Sequence, residues 1–287
     1  MKTRRTDLII HIAQQISSLY SPEESKTIAR KVASYLSKED EIKYLIDPNG
    51  EVEVEVEVEG VEDVVEQLKS ARPLQYILGK VEFYSLELFI SEGALIPRPE
   101  TEELVMWALE KAKGILSPRI VDLCTGSGCI ALALKSAKPE ALVTAVDLSD
   151  DALSIARRNR ELLNLDVEII KDDVLQGLPT LQGRRFDMII SNPPYIPHHE
   201  IESMHRNVVE HEPHMALFVA DNDPLIFYRA IAHSAKELLH AGGYLLFEIH
   251  EAFGEQTRLL LEAEEFCNIE LRHDFRDKPR MICCRKK

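Results

Sequence analysis

No run of about 18 consecutive apolar residues occurs in the sequence, so no membrane-spanning helix is expected. Paired cysteines are also missing. The five thiols (Cys124, Cys129, Cys267, Cys283, Cys284) are odd in number and none falls in CxxC spacing. That argues against a disulfide scaffold or a zinc ribbon, and reduced thiols in a cytoplasmic protein are the expectation. Positive charge is scarce, with 34 Lys and Arg against 49 Asp and Glu, a net charge of −15. A surface that grips a nucleic-acid backbone needs clustered cations, so direct nucleic-acid binding is not expected. Lys2, Arg4 and Arg5 precede a short apolar stretch from Leu8 to Ala13, but no small-residue cleavage site follows, which argues against a signal peptide. The histidines His198, His199, His211 and His214 read as loop residues, and no metal site is expected.

A chain of 287 residues suits about two domains. The first 80 residues read as a small helical domain. Leu8, Ile12, Ile16 and Leu19 repeat at helical spacing. Ser21-Pro22-Glu23-Glu24 is a capping box that starts a helix carrying Ile28, Val32 and Leu36. Ser37 can cap a third helix with Ile42 and Leu45, ended by Asp47-Pro48-Asn49-Gly50. Residues 51–59 alternate Glu and Val, which fits either a strand or an acidic loop. Eight acids lie between Glu51 and Glu66 with no base, so much of the acidity is local. A helix from Val61 to Ser70 follows, broken by Arg72-Pro73. Residues 81–97 are expected to form a β-hairpin connector turning at Ser91-Glu92-Gly93.

Strands and helices then alternate over 98–287. Apolar strands are expected at Ile120–Leu123, Leu142–Val146, Val167–Ile170, Phe186–Ile190 and Tyr244–Glu248, with helices between most of them and two late strands near Asn268–Arg272 and Met281–Arg285. The pattern predicts an α/β fold, a doubly wound and mostly parallel sheet with helices on both faces.

Two constellations carry chemistry. Asp122-Leu123-Cys124-Thr125-Gly126-Ser127-Gly128 follows one strand and opens a helix. Gly126 and Gly128 let backbone approach a ligand closely. Cys124 reads as a small buried residue lining the site. Asp147 ends the next strand, where a carboxylate can accept both ribose hydroxyls of a nucleoside. Ala131 breaks the GxGxxG frame of a dinucleotide site. The second constellation is Asn192-Pro193-Pro194-Tyr195, a rigid corner with exposed carbonyls. The Asn192 side-chain oxygen and the Pro193 carbonyl can each accept one N–H of a planar NH₂ group, and Tyr195 offers an aromatic face for stacking.

Together these residues resemble the class I S-adenosylmethionine-dependent methyltransferases, and the NPPY form resembles those that act on amide or exocyclic amino nitrogens. Three further segments are similar to the release factor glutamine methyltransferases: Arg72 to Gly79 (RPLQYILG), Leu95 to Glu102 (LIPRPETE), and Glu212-Pro213. The resemblance implies a Rossmann-like methyltransferase domain and a substrate-recognising N-terminal domain. It implies S-adenosylmethionine as cofactor, S-adenosylhomocysteine as product and peptide chain release factors as partners. The methyl group would go to the glutamine of their Gly-Gly-Gln loop. Thr125, Gly126, Ser127 and Gly128 would line the methionine end of the cofactor, with Asp122 beneath. Asp147 would hold the ribose. Asp173 and Val174 would lie at the adenine, Val174 standing where the family often has an aromatic. Asn192 and Pro193 would bind the glutamine amide, with Pro194 and Tyr195 beside them and Asn192 also facing the cofactor. Arg98 and Glu100 would belong to a loop over the pocket. Adenine in DNA and a ribosomal-protein glutamine are the alternative substrates. A nicotinamide dehydrogenase is the alternative class, disfavoured by the missing third glycine.

Overall fold

A computed structural model describes residues 2–53 and 58–287. It divides into two compact units, one of residues up to 79 with 205–211, the other of residues 80–204 and 212–287. No helix among the described residues is long and apolar enough to cross a membrane.

In the first unit a short strand β1 (Lys2–Arg4) leads into helices α1 (Arg5–Ile16), α2 (Pro22–Ser37) and α3 (Glu41–Ile46). Strand β2 (Glu51–Glu53) pairs antiparallel with β1. Helices α4 (Val58–Lys69) and α5 (Leu74–Leu78) follow. Leu8, Ile12 and Ile16 pack with Ile28, Val32, Leu36, Val61 and Leu68 in one core. Ser21 caps α2 by accepting from the Glu24 amide, with Pro22 at its first position. The expected strand-or-loop at 51–59 resolves as strand only at 51–53; residues 54–57 lie outside the described residues.

Three expectations change here. Leu19 falls beyond the end of α1 and is exposed. Helix α3 is capped by Asp40, which accepts from the Ile42 amide at 2.8 Å, not by Ser37. The hydroxyl of Ser37 instead meets that of Tyr44 at 2.7 Å, and Tyr44 donates to the Ala33 carbonyl. Burying that tyrosine turns Ile42 and Leu45 outward.

The second unit opens with a hairpin, β3 (Lys80–Phe83) against β4 (Leu86–Phe89). Its turn is Tyr84-Ser85, not 91–93. Both turn residues have positive φ (50° and 61°), as a two-residue hairpin turn requires. After α6 (Pro99–Lys111) come β5 (Arg119–Leu123), α7 (Cys129–Ala137), β6 (Leu142–Asp147), α8 (Asp150–Leu163), β7 (Val167–Lys171) and β8 (Phe186–Ser191). Short elements β9 (Ile196–Pro197), α9 (Arg206–His211, in the first unit), α10 (His214–Leu217) and β10 (Phe218–Val219) follow. Then come α11 (Ile226–Leu238), β11 (Leu239–Glu248), α12 (Gly254–Ala263), β12 (Cys267–His273) and β13 (Pro279–Arg285).

The sheet has seven strands in the order β12-β13-β11-β8-β5-β6-β7. β5, β6, β7, β8 and β11 run parallel, and β13 is antiparallel to both its neighbours. Alternate side chains feed two cores. Ile120, Met188, Ile190 and Leu246 pack with α6 and α7, while Val121, Leu123, Ile189 and Phe247 pack with α11 and α12. The strand order reverses between β5 and β8, and a sheet of this kind opens a crevice at the carboxyl ends of those strands.

Candidate active site

The crevice is a cavity of about 250 Å³ at that edge. It brings together Cys124 and Gly126 after β5, Asp147 ending β6, Asp173 and Val174 after β7, and Asn192 and Pro194 after β8. Gly93, Ala94 and Leu95 line one wall; Pro213, Met215, Ala216 and Phe227 line another.

The turn after β5 takes its shape from positive φ at Cys124 (60°), Gly126 (55°) and Gly128 (83°). A Cβ on Gly128 would lie 3.2 Å from both Ala156 and Leu132, so helix α7 can start here only on a glycine. A Cβ on Gly126 would meet nothing within 4 Å, which leaves that side of the turn open. Burial pushes the Cys124 thiol well up, making it a neutral wall rather than a nucleophile. Asn159 of α8 holds the turn from behind: its amide donates to the carbonyls of Ser127 and Phe89, and its oxygen accepts from the Phe89 amide.

Asp147 accepts the Gly126 amide on one oxygen at 2.8 Å and the Ser149 amide on the other at 2.9 Å. Both bonds fix the plane of the carboxylate, and each oxygen keeps a lone pair for a further donor. Burial raises its pKa, opposed by those two amides. Asp173 caps the turn beginning at Val174 by accepting from the Leu175 amide at 2.8 Å, which sets Val174 against the cavity.

Asn192 stands one residue past β8. Its side-chain nitrogen lies 3.4 Å from the Thr101 hydroxyl oxygen. Thr101 donates to Glu248 at 2.6 Å, and Tyr195 donates to the other oxygen of the same carboxylate at 3.0 Å. With its NH₂ engaged by Thr101, Asn192 has its own carbonyl oxygen left to accept.

Other expected residues lie elsewhere. Asp122, Thr125, Ser127 and Gly128 sit under the turn and do not line the cavity; nor do Pro193 and Tyr195. The Tyr195 ring packs against the apolar core. Arg98 and Glu100 are also absent from the lining. Arg98 donates to Glu212 at 2.6 Å, and the same buried carboxylate accepts the Ile96 amide at 3.2 Å. Glu100 instead pairs with Arg276 at 3.7 Å. Arg98 turns away from the cavity because the buried acid Glu212 is its partner. Leu95, Phe227, Thr101 and Glu248 are functional candidates to which sequence reasoning gave no role; Leu95 and Thr101 stand inside the LIPRPETE segment, while no local pattern marks Phe227 or Glu248.

Asp122 is fully buried, accepts from the Thr125 hydroxyl and the Ala131 amide, and is pushed up to about 7 by burial. The native state therefore holds this proton more tightly than the unfolded chain, where the ordinary value is 3.8. The stability it gives is complete below the ordinary value and is lost as pH rises through about 7. Relative to Asp122→Asn, the melting temperature of the wild type is expected to fall between about pH 4 and about pH 7. Parallel curves for the two proteins would contradict this.

Residues 100–216 match the family model "Methyltransferase small domain". The chain is 45% identical over 224 residues to the release factor glutamine methyltransferase of Flavobacterium psychrophilum, covering 77% of this chain and 78% of that one. It is 36% identical to the protein of the same name from Bacteroides thetaiotaomicron, over 95% of this chain and 96% of that one. Among solved structures it is similar in fold to a T. thermophilus 16S rRNA methyltransferase in complex with AdoMet and guanosine. The TM-score there is 0.51 at 18% identity, covering 72% of this chain and 50% of that one.

Proposed function

The chain belongs to the release factor glutamine methyltransferases, and on that footing we propose that it transfers a methyl group from S-adenosylmethionine to the side-chain amide nitrogen of the glutamine in the Gly-Gly-Gln loop of peptide chain release factors. One observation carries the reading. The Asn192 carbonyl oxygen, which has no hydrogen-bond partner among the described residues, belongs to a residue lining the same cavity as Asp147, at the reversal point of the sheet.

The cavity suits the cofactor. A carboxylate with two fixed oxygens matches the paired hydroxyls of a ribose, and Leu148, Val174, Leu175 and Phe227 give apolar walls for a purine. The open side of Gly126 admits a close approach of backbone to ligand. When bound, S-adenosylmethionine supplies a methyl group on a cationic sulfur, an electrophile that needs no further activation.

The protein must therefore work on the nucleophile. An amide nitrogen is sluggish because its lone pair is delocalised into the carbonyl. Asn192 accepts one N–H from the cavity wall, and the carbonyl of Pro193, a buried residue next to the lining Pro194, is the second acceptor; together they orient the nitrogen and stabilise the positive charge that grows on it. No general base is assigned, since the alkylated nitrogen becomes acidic and sheds its proton readily. Leu95 lines the pocket, and the Arg98–Glu212 ion pair braces the segment that follows it. The N-terminal helical unit is the substrate-recognition part.

The test is transfer from labelled cofactor to purified release factor, ribosomal protein and DNA in parallel. Label on the release factor alone, absent when the loop glutamine is replaced, is expected. Label on DNA or ribosomal protein in preference would overturn the substrate.

A further inference from the structure

Glu248 is a carboxylic acid in a place that an apolar side chain would fill at less cost. It is 1% exposed, at the end of β11, and its neighbour Phe247 is paired with Ser191, the residue before Asn192. Its two oxygens take hydroxyl donors from Thr101 and Tyr195 rather than a cation. Burial pushes its pKa up, and the two hydroxyls with the charge of Arg280 hold it down. Arg280 itself pairs with Asp274 at 3.0 Å.

Those two hydroxyls belong to opposite ends of one structural problem. Tyr195 closes the Asn192–Tyr195 corner, and Thr101 touches the Asn192 amide that opens it. A threonine hydroxyl has one proton. Given to the Glu248 carboxylate, that proton leaves the Thr101 oxygen able only to accept, so Asn192 must present its NH₂ there and its carbonyl elsewhere. A neutral group at 248 relaxes the constraint: the chain can run the other way, and the Asn192 oxygen is then consumed inside the protein.

We infer that Glu248 and Thr101 are positioning residues that set the direction of a hydrogen-bond chain, Asn192 to Thr101 to Glu248, and so keep the Asn192 carbonyl available to the substrate NH₂. The inference rests on the function proposed above for Asn192. It assigns no contact with substrate to either residue.

Three variants of the full chain test it: Thr101→Val, Thr101→Ser and Glu248→Gln. Thr101→Val is expected to lower kcat for release factor by about 10- to 100-fold, the scale of a misoriented reacting group. The Kd for S-adenosylmethionine by calorimetry and the KM for release factor should stay near wild type. Thr101→Ser, which restores the hydroxyl, should recover most of that loss. Glu248→Gln, close in shape, should lower kcat without moving cofactor affinity, and it carries the test if Thr101→Val does not fold. In protein with isotope-labelled asparagine, the Asn192 side-chain NH₂ should lose protection from exchange in Thr101→Val.

Wild-type kcat in folded Thr101→Val or in Glu248→Gln would overturn the inference. So would a loss that follows cofactor affinity and melting temperature and is not recovered by Thr101→Ser. A wild-type protein that methylates no release factor sinks the function instead. The exchange measurement then still decides the hydrogen-bond chain, and unchanged protection in Thr101→Val overturns it.

Discussion

Replacing Asn192 with alanine is expected to raise the barrier to methyl transfer by about 3 kcal/mol, roughly a hundredfold in kcat, the scale known for loss of one acceptor or donor aimed at developing charge. Cofactor affinity should change little, because the Asn192 NH₂ faces Thr101 and the ribose side of the cavity is built by Asp147. The effect should appear in single-turnover rates with release factor saturating. The Pro193 carbonyl would remain, so the residual rate reports what one acceptor achieves alone. Full activity in Asn192→Ala would remove the role given to this corner. A fall in cofactor affinity equal to the fall in rate would make Asn192 a cofactor ligand instead.

The second large effect is expected at Asp147. Alanine there removes two charge-assisted acceptors from the nucleoside, each worth about 1.5–3 kcal/mol in a buried setting. It also leaves the Gly126 and Ser149 amides without their partners. Water will replace part of the loss, so we expect a net weakening of about 3 kcal/mol, roughly a hundredfold in Kd. Calorimetry with S-adenosylmethionine or S-adenosylhomocysteine measures it directly. Asp147→Asn, which keeps one acceptor oxygen, should lose less. An affinity within about threefold of wild type in Asp147→Ala would put the ribose elsewhere in the cavity. Asn192 and Asp147 thus give opposite signatures, one in rate and one in binding.

Much of this was legible in the sequence because it is local. The apolar runs, the glycine turn directly after Leu123 and the acid ending the next strand are each short patterns whose physical cause lies within a few residues. The parallel, doubly wound character of the sheet followed from the alternation of its strands with helices. What was not legible depends on partners far apart in the chain. Glu212 was marked only as part of a Glu-Pro pair and Glu248 only as the end of a strand, yet both are buried and organise Arg98, Thr101 and Tyr195 across separations of 53 to 147 residues. Arg98 could therefore be placed in the right loop but not given its partner. The hairpin was misplaced for a different reason. Its turn uses Tyr84 and Ser85 at positive φ, without the glycine or asparagine that marks such a turn, while Ser91-Glu92-Gly93 does form a turn, closed by the Ala94 amide donating to the Ser91 carbonyl at 3.2 Å, but one that leads into the cavity wall at Gly93 rather than joining paired strands. Helix α3 was misread because a hydroxyl pair, Ser37 with Tyr44, outweighs the apolar spacing of Ile42 and Leu45 in choosing the buried face.

The most direct measurement is a crystal structure of the protein with S-adenosylhomocysteine and a peptide containing Gly-Gly-Gln. The glutamine carboxamide is expected in the 250 Å³ cavity, its nitrogen within hydrogen-bond distance of both the Asn192 side-chain oxygen and the Pro193 carbonyl and facing the sulfur. A carboxamide bound away from that corner, or an Asn192 oxygen turned toward Thr101, would contradict the account.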